Sequence, residues 1–269
     1  MNIVYGQFDL EKAVDLRGLA QNTSAPDGKA TLSGSNVQYG YNIGIFLQPT
    51  EKLNVGISYR SQVDVDLDYK DGDVEFSVPT AFSPLFPDGG VSATLPLPAS
   101  LNFGFAYQIN EKWLVSADVN FVQWDVYKSL NFDFENESSI TIPTSPTTTM
   151  NVPVVADTKN TRDWDNSMTY RIGAQYSANE KLDLRAGFYY DETPTNDKYY
   201  APETPGANKI GITGGFSYLL NEKFSLDAAF IYSKGEKREA YDTNPTSQGF
   251  GGEYQNTAFI PSIGITYNF

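Results

Sequence analysis

The chain has 269 residues, 19 basic against 33 acidic side chains for a formal charge of −14, no histidine and no cysteine. Without cysteine there is no disulfide scaffold, thiolate nucleophile or thiolate zinc site; without histidine the commonest general base and metal ligand is missing. The acidic balance opposes a nucleic-acid partner, which needs a basic footprint, and the residue types that remain do not point to an enzyme.

Met1–Gly6 carries neither a basic region nor a following apolar run and does not read as a signal peptide. No apolar stretch approaches the roughly 18–20 residues of a transmembrane helix. From there the pattern is alternation. Ten strands are expected, at about 1–12, 36–48, 52–69, 97–109, 112–134, 164–177, 181–192, 207–219, 223–240 and 253–269. In the third, Leu53, Val55, Ile57 and Tyr59 share one parity; in the fourth, Leu101, Phe103, Phe105 and Tyr107 do. Met168, Tyr170, Ile172, Ala174 and Tyr176 oppose Thr169, Arg171, Gly173, Gln175 and Ser177, and Phe224, Leu226, Ala228, Phe230 and Tyr232 oppose Ser225, Asp227 and Ser233. Period 2 denotes strands with two unlike faces.

Four similar strings, Thr50-Glu51-Lys52-Leu53, Asn110-Glu111-Lys112-Trp113, Asn179-Glu180-Lys181-Leu182 and Asn221-Glu222-Lys223-Phe224, sit between alternating segments and read as tight hairpin turns. Long polar connections are expected at 13–36, 70–96, 135–162, 193–206 and 241–252. Short turns on one side and long loops on the other is the asymmetry of an outer-membrane barrel. Each expected strand is long enough for the 9–11 residues of a tilted span. The last ends in Tyr267 and Phe269, like the aromatic C-terminal strand of bacterial outer-membrane proteins. A soluble β-sandwich or lipocalin-like barrel is the alternative, but the second parity is rich in Gly, Asn, Ser, Arg and Asp, which fill a dry core poorly. The expected fold is therefore all-β: a transmembrane antiparallel up-and-down β-barrel of about ten strands, one domain over 1–269.

Several strings resemble the FadL-type family of outer-membrane long-chain fatty-acid and hydrocarbon transporters. They are Ile57-Ser58-Tyr59-Arg60-Ser61, Val119-Asn120-Phe121-Val122-Gln123-Trp124, and, most specific, Arg185-Ala186-Gly187-Phe188-Tyr189-Tyr190-Asp191-Glu192-Thr193-Pro194. Pro205-Gly206-Ala207-Asn208-Lys209 falls where the family has a Pro-Asp…Arg loop, with Lys209 in place of the Arg. The resemblance implies a fourteen-stranded barrel with an N-terminal hatch. Against it, this chain corresponds to the last ten strands without the hatch or its Asn-Pro-Ala-type motif, and reads either as N-terminally incomplete or as a reduced barrel.

Segment 79–98, with Phe82, Leu85 and Phe86, is unusually apolar for a surface loop. It reads either as a landing groove for an acyl chain, at about 0.8 kcal/mol per buried CH₂, or as side chains tucked beneath the loop. The resemblance pairs it with Leu16, Leu19 and Ala20, and implies a basic residue near the internal ligand, for which Lys12 is placed. Lys128, above Trp124, is a second carboxylate partner. Arg60, Arg171 and Arg185 share the lumen parity with Asp64, Asp118, Asp183 and Asp227; they read as an ion-pair network bracing the wall or as ligand contacts.

The acids Asp64, Asp66, Asp68, Asp71 and Asp73 lack calcium-loop spacing and read as a solvated strand top. Thr141–Pro153 reads as a flexible loop by composition. Gly214-Gly215 and the glycines of 249–252 form no phosphate cradle. Passive uptake of long-chain fatty acids or other hydrophobic molecules is the resulting expectation, without cofactor or metal. The partners are the bilayer, lipopolysaccharide and the ligand, with no nucleic acid, and the chain acts as a monomer. A general-diffusion porin or structural barrel is the alternative.

Overall fold

The computed structural model describes residues 1–200, 204–240 and 252–267. In chain order its strands are β1 (Asn2–Val14), β2 (Gly28–Gly40), β3 (Asn42–Thr50), β4 (Leu53–Arg60), β5 (Val63–Leu67), β6 (Gly72–Ser77), β7 (Gly89–Leu97), β8 (Ser100–Gln108), β9 (Trp113–Val122) and β10 (Ser129–Phe134). There follow β11 (Ser138–Ser145), β12 (Thr148–Val155), β13 (Thr158–Thr161), β14 (Ser167–Asn179), β15 (Leu182–Asp191), β16 (Lys209–Leu219), β17 (Phe224–Gly235), β18 (Arg238–Ala240), β19 (Gly252–Tyr254) and β20 (Thr257–Tyr267). One helical turn, α1 (Arg17–Ala20), and three short 3-10 turns are the other elements among the described residues. Two compact units result: residues 1–40, 63–97 and 129–161 form the first, and 41–62, 98–128 and 162–269 the second.

The second unit is built on a nine-stranded antiparallel sheet ordered β20-β17-β16-β15-β14-β9-β8-β4-β3. Registered neighbours in such a sheet point to one face, so the expected parities become rows. Ala117, Ile172, Phe188, Ile212, Tyr232 and Phe259 lie side by side. Ile172, Ile212 and Phe259 are 60%, 52% and 65% exposed: this apolar face is uncovered by protein. One residue along each strand, Asp118, Arg171, Tyr189, Gly211 and Ser233 form the opposite row. A sheet that presents its large apolar side chains outward and small or charged ones on the other face suits lipid on one side and water on the other.

The four repeated strings are the turns of this sheet, and one chemistry forms them. The Asn110 side-chain oxygen accepts from the Lys112 and Trp113 amides at 2.9 and 3.0 Å. Asn179 accepts from Lys181 at 2.9 Å, and Asn221 from Lys223 and Phe224 at 2.9 and 3.1 Å. The Thr50 hydroxyl does the same for Lys52 and Leu53. These are Asx- and Thr-turns, in which the side chain substitutes for a backbone acceptor. Aromatic pairs flank them: Trp113 against Tyr176 at 4.7 Å and Phe224 against Tyr267 at 4.8 Å between centroids.

Several expected strands are shorter than their spans. The 36–48 segment divides at Tyr41, with β2 pairing β1 and β3 pairing β4. The 52–69 segment divides after Arg60, where β4 pairs β8 and β5 pairs β7. The 112–134 segment breaks at the 3-10 turn Trp124–Val126. At Pro98, between β7 and β8, the chain lacks an amide for the ladder. Phe269 and the glycines at 249 and 251 lie outside the described residues.

The first unit corrects the loop assignments. Segments 13–36, 70–96 and 135–162 carry β2, β6, β7, β11, β12 and β13. Of these, β2, β6, β7 and β13 join β1 and β10 in a sheet ordered β1-β2-β6-β7-β10-β13, with β5 on β7, while β11 and β12 form a separate two-stranded sheet. Its alternation, such as Ala30/Leu32 across from Phe76/Val74, is half polar and was masked by the Asp, Ser and Thr between the apolar positions. Ala30, Leu32, Val74 and Val91 form a buried core on one face, with Phe8, Phe132 and Phe134 packed on it. On the other face of β1–β2 the pairs Ile3–Tyr39 and Tyr5–Val37 are exposed and apolar, whereas Gln7–Ser35, Asp9–Ser33 and Glu11–Thr31 are polar. That switch after Tyr5 is where an apolar surrounding would end. Thr141–Pro153 is likewise part of a hairpin, β11 against β12, rather than an irregular loop.

Candidate functional site

The apolar residues singled out in segments 13–20 and 79–98 meet in the first unit. At the end of β1 the Asp15 carboxylate accepts from the Arg17 amide at 2.9 Å and from its guanidinium at 2.8 and 2.9 Å. These hydrogen bonds hold the Asp15 carboxyl below the usual carboxylate range and raise Arg17. The clamp turns Leu16 inward, where it is 1% exposed. Opposite, the 3-10 turn Ser83–Leu85, with Pro84 in its first turn, presents Phe86. Leu16, Phe86 and Val155 form the buried floor, and Leu19, Phe82, Leu85, Phe76, Val78 and Phe134 pack around it. The Phe76 and Phe86 rings lie 5.5 Å apart.

Gly28 makes the close approach possible: a Cβ there would meet Val78 at 2.7 Å and Leu16 at 3.3 Å. The Ser138 hydroxyl donates to the Leu85 carbonyl at 2.6 Å and accepts from the Val155 amide at 3.1 Å, fastening the 3-10 turn to the hairpin. Leu16 and Phe86 are thus packing residues, while Leu19, Phe82 and Leu85 remain half-buried at the surface. Sequence reasoning missed Val155, Phe76, Val78 and Phe134; the alternations Phe132/Phe134 and Val152/Val154 were the available signal.

The charged candidates are not members of this cluster. Lys12 is exposed on β1, in register with Ala30, and is not among the side chains of that cluster. Lys128 pairs with Asp163 at 3.0 Å in the second unit. Beside it Trp124 meets Trp164 edge-on at 4.9 Å, and Trp164 meets the buried Tyr127 at 4.8 Å. Backbone amides of Arg162 and Asp163 bond the Lys128 carbonyl at 2.8 and 3.0 Å, and Asp163 adopts a positive φ of 45° to do so. This aromatic corner was legible only through Trp124; its partners lie some forty residues away in sequence. Arg60 is exposed at the end of β4, in register with Asn42 and Ser100.

On the polar face of the nine-stranded sheet, Arg171 and Arg185 meet Asp118, Asp183 and Asp227 in a network of the expected kind, while Asp64 belongs to β5 in the other sheet. Arg171 bonds Asp118 at 2.7 Å. Arg185 bonds Gln175 at 2.8 Å and Ser217 at 2.6 Å, and lies 3.8 Å from Asp183. Ser177 donates to Asp183 at 2.6 Å, and Ser217 to Asp227. Between the two arginines lies a hollow of about 310 Å³ floored by Gly173 and Gly187. In the acidic stretch Asp66 accepts from Thr94 at 2.7 Å and Asp71 from Asn36 at 3.3 Å. Among the described residues no group of three or more His, Cys, Asp or Glu could hold a metal ion. Tyr69 donates to Asp133, and this bond to a carboxylate pushes the phenol up to about 12.

The family described as outer membrane protein transport protein (OMPP1/FadL/TodX) matches residues 1–269. The chain belongs to it. It is therefore an outer-membrane protein of a transporter family rather than an enzyme family. Relatives agree in kind. The long-chain fatty acid transport protein of Escherichia coli is 22% identical over 265 residues, 93% of this chain and 54% of that protein. Outer membrane protein P1 of Haemophilus influenzae is 28% identical over 200 residues, 74% and 38% of the two chains. Among solved structures, a Pseudomonas aeruginosa FadL homologue superposes with a TM-score of 0.72 at 17% identity, over 98% of this chain and 62% of that one. This last likeness supports the FadL-type fold. The chain spans about half the length, or less, of the curated relatives it matches.

Proposed function

We propose that this FadL-family chain serves passive uptake of hydrophobic compounds through the outer membrane, and that long-chain fatty acids land on the cluster rimmed by Leu19, Phe82 and Leu85. The observation that carries the reading is that cluster: side chains from 14–19, 76–86 and 134–155 share one apolar site with a buried floor and a half-exposed rim. A half-exposed apolar rim over a buried floor leaves apolar area that an alkyl chain can remove from water. On the same reading Lys12 of the first unit, and separately Lys128, Arg60 and Trp124 of the second, are further contacts for the ligand along the uptake route, none of them part of the landing cluster. On this reading the chain acts as a monomer among bilayer lipids and lipopolysaccharide.

The test is palmitate binding by the full chain in phosphatidylcholine nanodiscs. Phe82→Ser with Leu85→Ser is expected to weaken binding by at least about tenfold, since two half-buried apolar side chains contribute over about 1.4 kcal/mol. Unchanged affinity in the doubly substituted, folded protein would sink the landing site. The hollow between Arg171 and Arg185, charged and floored by glycine, favours one other reading, a general-diffusion channel. Rapid, size-limited passage of sugars in a liposome swelling assay would support it, and little passage would oppose it.

A further inference from the structure

The β11–β12 hairpin carries a feature that the landing cluster does not use. From Ser138 to Ala156 there is no charged residue, whereas Glu135, Glu137 and Asp157 stand at its base. Cross-strand register sorts its side chains: Ile142 faces Met150 and Ile140 faces Val152 on one face, and a bulge at Val154, between the Ser139–Pro153 and Ser138–Val155 pairs, sets Val155 opposite Ser138 at the foot of the hairpin. The other face holds Ser139, Thr141, Thr149, Asn151 and the two prolines Pro143 and Pro153. Ile142 and Met150 are 40% and 54% exposed, whereas at the foot Val155 is part of the buried floor beside Leu16 and Phe86 and the bulged Val154 packs against it. The apolar strip thus runs from an exposed tip down to the cluster, about 14 Å over two row spacings.

We infer that this face is a first-contact track for a linear hydrocarbon chain, guiding it to the Phe82 and Leu85 rim; the inference rests on the uptake function proposed above. Three observations select that occupant. The strip offers only four large side chains, Ile140, Ile142, Met150 and Val152, far less than the roughly 800 Å² per partner of a stable protein interface. Pro143 and Pro153 sit in β11 and β12 themselves, where a missing amide opposes the addition of a further strand. The carboxylates at the base repel an anionic headgroup, so a fatty acid slides tail first.

The experiment is stopped-flow palmitate binding to the full chain in phosphatidylcholine nanodiscs. Ile142→Ser with Met150→Ser is expected to slow association about fivefold while equilibrium affinity changes less than about twofold, because a track alters arrival and departure together. An association rate equal to the unsubstituted protein's overturns the track. So does a fall in oligomeric mass on substitution, which would make the face a contact between copies. As the chain has no cysteine, Ile142→Cys carrying an environment-sensitive dye gives a reading independent of any loss of folding in the double variant. Its emission must shift to the blue on palmitate addition, and an unmoved spectrum overturns the track. Phe82→Ser with Leu85→Ser separates the two proposals: lost affinity there with a normal rate in the hairpin variant defeats the track alone. Absence of palmitate binding by the unsubstituted chain defeats both.

Discussion

The two units obey the same period-2 rule and use it in opposite senses. In the first, Leu16, Ala30, Leu32, Val74, Phe86, Val91 and Val155 are buried, and the outer face of β1–β2 is polar from Gln7 to Glu11, as water requires, with apolar residues exposed only at its Ile3–Tyr39 and Tyr5–Val37 end. In the nine-stranded sheet of the second, Ile263, Ile265 and Phe259 are 79%, 72% and 65% exposed, and the opposite face carries Asp118, Arg171 and Arg185. Apolar alternation thus specifies which residues share a face but not whether that face meets protein or lipid. The surrounding medium decides.

Truncation gives the widest separation between the two. Leu16→Ala should cost about 2–5 kcal/mol, because it empties a packed site, whereas Ile265→Ala, facing outward, should cost under about 1 kcal/mol; chemical denaturation in phosphatidylcholine vesicles would compare them. Equal losses would erase the contrast. A charge should invert the ranking within the second unit. Ile172→Arg on the apolar face is expected to destabilise by about 2–4 kcal/mol, while Ser262→Arg on the polar face stays near zero, by the same measurement. Arg171→Gln breaks a pair whose side chains are 45% and 40% exposed, so a loss of only about 0–1 kcal/mol is expected.

The smallest effect is in the first unit and depends on pH. The Tyr69 phenol is raised to about 12 by its bond to Asp133. Its folded pKa lies above the unfolded value near 10, so its contribution is complete below pH 10 and is lost as pH climbs through 12. A phenolate absorbance titration should show one tyrosine fewer ionising late in Tyr69→Phe than in the unsubstituted protein. An unchanged late phase would show that Asp133 does not hold the phenol.

Legibility followed the strength of the alternation. The spans of β8, β14, β15 and β16 could be placed to within a few residues because uninterrupted apolar parity marks them. The Asn-Glu-Lys turns could be placed because an Asn side chain two or three residues before a free amide has one favourable thing to do. Most of β2, with β6 and β7, escaped because about half of each is Asp, Ser, Thr or Gly, and β11–β12 because Thr and Pro suggest irregular backbone until a partner strand is present. The junctions at Tyr41 and Arg60 escaped for another reason: the exchange of one partner strand for another is a long-range event with no local mark.

The candidate site divides the same way. Phe82, Leu85 and Phe86 stood out as apolar residues in a polar stretch, and their pairing with Leu16 and Leu19 was implied by family likeness; the structure assembles them. Lys12 was implied by family likeness, and Lys128 and Arg60 were named for charge; none is a member of that cluster, and Lys128 is already engaged by Asp163.

Taken by itself, the sequence determined that the chain is all-β and two-faced, that its short turns rest on Asn and Thr, and that neither histidine nor cysteine chemistry is open to it. These are local matters, set by side-chain parity, turn hydrogen bonds and composition. Only the tertiary structure decided which strands pair, that the polar connections form a sheet with its own core, and that Leu16 becomes floor while Phe82 stays at the rim. Those outcomes depend on contacts between segments tens of residues apart, such as Ala30 with Phe76 and Leu16 with Phe86, where burial is settled by what the rest of the chain brings to the same place.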